Sequence, residues 1–276
     1  MSTMQDQAEE PRGRFRLSER AMKIIIAVEL AVLCVPLLYF GTRIFICDKF
    51  IVKGQSMEPT LHSGQPVYVN KLKMGGRIYT KFDFEEDSEL HCFRMPGFRR
   101  LRPGDIAIYN YQYGRGGRKI AFKINYVYAK RCVGCPSDTI SIVDCHYANS
   151  SVDFVGVPLS NEAALRAIPD SVLLSANCLK AGRFAGEREN WTIKDFGPIV
   201  VPAKGMTIKL DSISRAHYSI VLEYETGLAP EDVPGPDYTF KEDYYFFAGD
   251  NVVNSRDGRY DGFVPEKYIV GIIAPH

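Results

Sequence analysis

The chain has 276 residues, 46% of them hydrophobic, with 34 basic against 33 acidic side chains and a formal net charge of +1. That apolar share is enough for a sizeable packed core and excludes a disordered chain. The near balance of charge lacks the concentrated positive field that nucleic-acid binding needs, so no nucleic-acid partner is expected.

From Ala21 to Gly41 the sequence is almost continuously apolar, interrupted only by Lys23, Glu29 and Pro36, and it shows no amphipathic stripe. Its length approaches the roughly 20 residues that cross a bilayer as a helix. Arg12, Arg14, Arg16 and Arg20 precede it, while Arg43 and Lys49 follow more sparsely. The positive-inside tendency therefore puts the N-terminus in the cytoplasm and everything after about Cys47 outside. A cleaved signal peptide would end in small residues; Tyr39, Phe40 and Arg43 stand there instead, which favours a permanent anchor. The expected organisation is a cytoplasmic tail over 1–22 and a transmembrane anchor over 23–46.

Beyond the anchor, a strand is expected at Asp48 to Val52, then an irregular segment broken by Gly54 and Pro59, then a strand from Pro66 to Leu72. Lys73 to Arg102 shows no clear period and reads as a loop-rich excursion. The Pro103-Gly104-Asp105 turn opens a strand at Ile106 to Tyr111, and the Gly-rich run from Tyr113 to Gly117 reads as a hairpin tip. In the strand that follows, Phe122, Ile124, Tyr126, Tyr128, Lys130 and Cys132 share one face, with Lys123, Asn125 and Arg131 on the other. Lys130 is the only charge on that face. A lysine so placed either snorkels to water or, if buried, loses stability in its ammonium form and becomes a candidate base.

The seven cysteines, an odd number, fit no complete disulfide framework. Cys132 and Cys135 form a CxxC, but no second pair or spaced His pair completes a four-ligand set, so no metal and no other cofactor is expected. Within 139–240, Thr139 to Val143, Ile199 to Val201, Met206 to Leu210 and Ile220 to Tyr224 read as strands. Asn161 to Ala167 and Asp170 to Lys180 read as helices. The chain closes with a strand at Tyr244 to Ala248, a polar loop from Gly249 to Gly262, and a strand from Lys267 to Ile273. Many short strands with turn signals give a mainly β fold behind one N-terminal transmembrane helix.

Three separated segments carry a resemblance. They are Gly54-Gln55-Ser56-Met57-Glu58-Pro59-Thr60-Leu61, then Lys130-Arg131-Cys132-Val133-Gly134-Cys135-Pro136-Ser137-Asp138, and then Gly249-Asp250-Asn251 through Ser255, Asp257, Arg259, Gly262 and Val264-Pro265. A fourth, shorter match is Gly104-Asp105-Ile106-Ala107-Ile108-Tyr109. In this order, behind an N-terminal anchor, they resemble the bacterial type I signal peptidases, Ser–Lys proteases that remove signal peptides from exported proteins. The resemblance implies a signal-peptidase-like β catalytic core over 47–138 and 241–276, interrupted by an inserted, mostly β subdomain over 139–240. It implies Ser56 as nucleophile, its backbone N–H as an oxyanion donor, and Lys130 as general base. Ser255 would orient the lysine, Asp250 with Arg131 and Asp257 with Arg259 would brace the site, and Met57 would line the substrate groove. Shallow pockets would select small residues at the cleavage site.

The implied partners are preprotein signal peptides and the lipid bilayer, with export machinery left open, and the implied location is the bacterial inner membrane with the catalytic part on its outer face. The sequence departs from the family pattern at several points. Gly54 supplies no hydroxyl where some members carry Ser, Cys132 and Cys135 replace aliphatic residues, Ser137 stands where Gly is frequent, and Val252 and Val253 replace more polar residues. Competing readings are a soluble Ser–Lys autoprotease of the LexA type, a Ser–His form using His62 or His146, a Ser–Lys protease with narrow substrates, and a catalytically inactive tethered module that binds exported chains.

Overall fold

A computed structural model of the chain describes residues 18–81, 89–111, 120–124, 126–181 and 191–274. The tail arginines Arg12, Arg14 and Arg16, the strand residue Asn125 and the expected hairpin tip at Tyr113 to Gly117 lie outside the described residues. The chain forms two units, Met1–Thr42 and Arg43–His276.

The first unit is built around helix α1 (Glu19–Gly41), of 23 residues. Ser18 caps it, its side chain accepting from the Ala21 N–H at 3.2 Å, and a π-helical turn (Thr42–Ile46) continues it. At 1.5 Å per residue α1 is ~34 Å long, against a hydrocarbon core of ~30 Å. The segment Glu19–Ile46 has a mean hydropathy of 2.4 and none of its apolar window is buried, so by length and composition it can cross a membrane.

The second unit begins with β1 (Cys47–Ile51), β2 (Pro66–Asn70), β3 (Arg77–Tyr79), β4 (Cys92–Arg94), β5 (Ile106–Asn110), β6 (Val127–Gly134), β7 (Thr139–Val143) and β8 (His146–Asn149). Helices α2 (Leu159–Ala167) and α3 (Asp170–Ser175), strands β9 (Phe196–Val200) and β10 (Thr207–Lys209), helices α4 (Ser212–His217) and α5 (Ser219–Thr226), and β11 (Asp237–Thr239) follow. Last come β12 (Tyr244–Ala248), α6 (Gly258–Asp261), β13 (Val264–Pro265) and β14 (Ile269–Ile273). The main sheet is seven-stranded, in the order β1-β2-β14-β5-β6-β12-β13, and its pairings are antiparallel.

Strand β12 is buried on both faces. Its sequence, YYFFA, has no polar position to give to water. Tyr244, Phe246 and Ala248 enter one core with residues of 139–240, while Tyr245 and Phe247 enter a second with Tyr109, Cys132 and Ile269. A third core, of Val52, Met57, Leu61, Val67, Val69 and Ile108, lies around β1 and β2.

The structure differs from the sequence expectations in three places. The strand expected from Phe122 begins only at Val127. Buried Asn110 donates its Nδ2 to the carbonyls of Lys123 and Ile124 at 3.0 and 3.1 Å, which removes those acceptors from a ladder. Ile220 to Tyr224, expected as a strand, lies within α5, where Tyr218, Val221 and Leu222 are buried at helical spacing; a short apolar run does not distinguish the two periods. The stretch 139–240, expected as mostly β, has among its described residues four α-helices beside five strands. Inside Lys73 to Arg102, β3 and β4 pair antiparallel.

Truncating Phe246, which is fully buried, should leave a cavity in the first core. For Phe246→Ala we expect a loss of about 3–5 kcal/mol, read as a lowered denaturant midpoint for the detergent-solubilised protein. An unchanged midpoint would show that β12 does not hold the two faces together.

Candidate active site

Ser56 sits in the irregular segment after β1. Gly54 has φ +82°, a left-handed conformation that suits glycine, and the Glu58 N–H closes a turn onto the Gln55 carbonyl at 3.1 Å. Met57 and Leu61, 1% and 2% exposed, anchor this segment in the third core. The backbone beside Ser56 is thus fixed by burial of its apolar neighbours.

Lys130 projects from the middle of β6, whose residues pair with β5 on one side and β12 on the other. Its Nζ lies 2.6 Å from Ser56 Oγ and 3.0 Å from Ser255 Oγ, and the residue is 3% exposed. Burial pushes its pKa down to about 8 against the pull of Asp257, with Arg259 reinforcing the fall. Tyr128, two residues earlier on the strand, turns its ring toward the ammonium at 5.5 Å.

The supporting residues form a connected chain. Ser255 Oγ donates to Asp257 Oδ2 at 2.7 Å, and Asp257 also accepts from the Gly249 N–H at 2.9 Å. Arg259, fully buried, clasps Asp257 through Nε at 2.9 Å and Nη2 at 3.0 Å. Burial opposes ionisation of Asp257, but the charge and hydrogen bonds of Arg259 outweigh it and hold the carboxyl below its usual range. Arg131 forks onto Asp250 at 2.7 and 2.6 Å and donates to the Gly104 carbonyl at 2.8 Å. Because an ionised carboxylate only accepts, Asp257 accepts the Ser255 hydroxyl's hydrogen bond and leaves that oxygen's lone pairs toward Lys130.

All eight residues expected from the sequence, Ser56, Met57, Lys130, Arg131, Asp250, Ser255, Asp257 and Arg259, thus fall around one place. Met57 lines a cavity of about 770 Å³ together with Ser56, Val52, Val67, Ile108 and Ala129. Of the alternative bases, His146 is engaged elsewhere, its Nδ1 meeting Glu162 at 2.7 Å.

Several further residues hold the site and were not expected. Thr60 Oγ1 donates a short hydrogen bond to Asp250. The Asn251 N–H reaches the Ser56 carbonyl at 3.1 Å and its Nδ2 reaches the Gln55 carbonyl at 3.1 Å. Asn161, from α2, donates to both the Glu58 and the Asp250 carbonyls, at 2.9 and 2.6 Å, so the inserted stretch clamps the nucleophile segment to the Gly249–Asp250–Asn251 turn. Thr60 and Asn251 stand inside the quoted motifs, whereas nothing in the sequence around Asn161 signals its role. Asp105 accepts from Arg99 at 2.6 and 2.8 Å and from the Arg102 N–H at 2.9 Å, which makes the Gly104-Asp105 motif a support for the carbonyl that Arg131 grips. Val252, 1% exposed, packs in the first core; nothing in the structure explains exposed Val253. Ser137 takes φ +73°, the conformation in which a glycine would be unstrained.

Gly249 is where the parts approach most closely. A Cβ there would collide with Ser255 Oγ and lie 2.5 Å from the Ser56 carbonyl oxygen.

A family model described as "Signal peptidase, peptidase S26" matches residues 22–275. A signal peptidase I of Buchnera aphidicola is 24% identical over 256 residues, covering 85% of this chain and 71% of that protein. Signal peptidase I P of Bacillus subtilis subsp. natto is 27% identical over 259 residues, covering 94% and 91%. A solved signal peptidase I structure from Enterococcus faecalis is 20% identical, over 64% of this chain and 98% of that one, with a TM-score of 0.28, too slight a likeness to compare folds.

Gly249→Ala should therefore push Ser255 and the Ser56 backbone apart. We expect kcat/KM for any substrate of this site to fall by about 100-fold, the scale of a 1 Å misplacement, alongside an overpacking cost of about 1–3 kcal/mol in stability. Wild-type turnover by the alanine variant would show that this contact does not set the geometry.

Proposed function

The chain belongs to the signal peptidase family S26, and we propose that within it Ser56 is the nucleophile and Lys130 the general base. Its activity is that family's: a membrane-tethered serine endopeptidase that removes N-terminal signal peptides from exported preproteins. The observation that carries the proposed roles is the 2.6 Å approach of a buried lysine to the Ser56 hydroxyl.

A serine hydroxyl becomes a competent nucleophile when a neighbour takes its proton, and a lysine can do so only as the neutral amine. With its pKa near 8, Lys130 is neutral in a substantial fraction of molecules around that pH. Ser255, held by Asp257, accepts an N–H of the amine and leaves its lone pair facing Ser56. Ser56 Oγ then attacks the scissile carbonyl while Lys130 takes the proton. The backbone N–H of Ser56 stabilises the developing oxyanion. Lys130 returns the proton to the leaving amine, and water releases the acyl-enzyme with Lys130 again as base. The apolar side chains lining the cavity, Val52, Met57, Ile108 and Ala129 among them, suit apolar residues in the substrate beside the cleaved bond.

In the same reading, residues 47–138 and 241–276 are the catalytic core and 139–240 an insert that braces it through Asn161. Arg20 and the other tail arginines are cytoplasmic, the anchor crosses the inner membrane once, and the body meets preproteins, delivered by export machinery, on the outer face. Protease added to intact spheroplasts should digest the chain beyond Cys47. Protection of the body with exposure of the tail would reverse the orientation.

Below pH about 8 Lys130 is protonated and cannot accept the Ser56 proton, so kcat/KM should rise with pH along an acidic limb centred near 8. Lys130→Arg keeps the charge but supplies no neutral base; it and Ser56→Ala should each reduce preprotein cleavage by at least about 1,000-fold without loss of fold. Folded Lys130→Arg protein that cleaved at the wild-type rate would assign the base elsewhere, and a folded wild type without turnover would favour the inactive binding module.

A further inference from the structure

The catalytic chemistry leaves Cys132 and Cys135 unused, although they flank the end of the strand that carries Lys130. We propose that these two thiols are a site of intramolecular disulfide formation, closed by thiol–disulfide exchange with a disulfide-bearing oxidant outside the membrane. The compartment, though not the chemistry, rests on the outward placement of the body given above.

The sulfurs are 3.7 Å apart. A disulfide requires about 2.05 Å, so closure asks for less than 2 Å of side-chain movement. Val133 and Gly134, between them, are held in β6, whose register with β12 shifts at this point, and a tight turn follows Cys135. The Cys132 N–H is held by the Asp105 carbonyl at 2.8 Å, the Ser137 N–H by Val201 at 3.0 Å, and the Asp138 N–H by Cys135 at 3.0 Å. Asp138 Oδ2 in turn accepts from the Cys135 N–H at 2.8 Å. Little conformational freedom remains to be lost when the bond closes. Among the described residues no cluster of three or more Cys, His, Asp or Glu could hold a metal, so these two sulfurs have no third ligand there.

The two thiols are unequal, which sets the order of reaction. Cys132 is fully buried and burial pushes its thiol pKa well up; Cys135 is half-buried at the end of the strand, its Sγ 3.3 Å from the Leu101 carbonyl. The Cys135 thiolate attacks the oxidant's disulfide, and the departing sulfur leaves as a thiolate that takes up a proton. Cys132, deprotonated, then attacks the Cys135 sulfur of the mixed disulfide and expels the second thiol. Two protein thiols are oxidised, one external disulfide is reduced to two thiols, and the two protons released by the cysteines go to the leaving groups. The bond would tie the end of β6 to the turn that opens the inserted stretch.

The test uses full-length protein in detergent micelles, equilibrated in a buffer of oxidised and reduced glutathione, denatured, alkylated and mapped by mass spectrometry. The tryptic peptide from Cys132 to Arg166 should carry an alkyl group on Cys145 and none on Cys132 or Cys135, and should be about 2 Da lighter than its dithiol form. Reduction should lower the thermal midpoint by roughly 4–8 °C, and the Cys132→Ala/Cys135→Ala double variant should not respond to reductant. Alkyl groups on both cysteines, or a glutathione adduct on Cys135 that never resolves, would overturn the site. A pair that closes in buffer but is found reduced in cells would uphold the site and overturn instead the outward placement of the body.

Discussion

The rest of the structure depends on withdrawing one lysine from water, which lowers its pKa to about 8. An ammonium exposed to water is not a base, and one simply buried among apolar groups destabilises the fold. Lys130 is held between these limits. It is almost wholly withdrawn from solvent, yet two hydroxyls, those of Ser56 and Ser255, meet its nitrogen. Hydroxyls can satisfy the amine in either protonation state, and carboxylates would have fixed the charge.

The acidic residues nearby are managed accordingly. Asp257 alone would stabilise the ammonium, but Arg259 pairs with it and works in the opposite direction on Lys130. Asp250 is taken by Arg131 and Asp261 by Arg256. With each carboxylate beside its own guanidinium, desolvation outweighs the pull that remains from them and lowers the Lys130 pKa. Buried pairs of this kind are weak sources of stability; here their geometry positions Ser255, the Gly249 turn and the Gly104 carbonyl.

Holding such a site requires backbone that does not yield. The nucleophile segment is irregular, and a loop of this kind is ordinarily mobile. It is fixed from beneath by Met57 and Leu61, and from the side by Thr60, Asn161 and Asn251. Strand β12, buried on both faces, leads directly into the Gly249 turn, so the packing of two cores is transmitted to the atoms around Ser56. The approach is close enough at Gly249 that no side chain can be accommodated.

Local chemistry made part of this legible. The apolar run before Gly41 sets a membrane-length helix by hydropathy and length alone, and the strands at Thr139–Val143 and Tyr244–Ala248 match their sequence patterns because β-branched and aromatic residues fill them. The quoted motifs were enough to single out the eight site residues, since the chemistry needs those side-chain types and the resemblance ties them to positions. Other features depended on distant partners. Whether Lys130 snorkels or is buried is undecided by the alternation on its strand; Tyr128, Ser255 and the β12 packing settle it. The helix over Ser219–Thr226 forms because Tyr218, Val221 and Leu222 find a common core, a fact absent from a five-residue apolar run. The roles of Asn161 and the Gly104 carbonyl are those of hydrogen bonds between residues far apart in sequence, and a hydrogen bond has direction and reach that only the folded chain can supply. The sequence by itself determined the apolar membrane-length helix and the mainly β class, because these follow from composition and period; the burial of Lys130 and the bracing of the Ser56 segment were decided by tertiary structure, because burial and bond geometry are properties of neighbours in space.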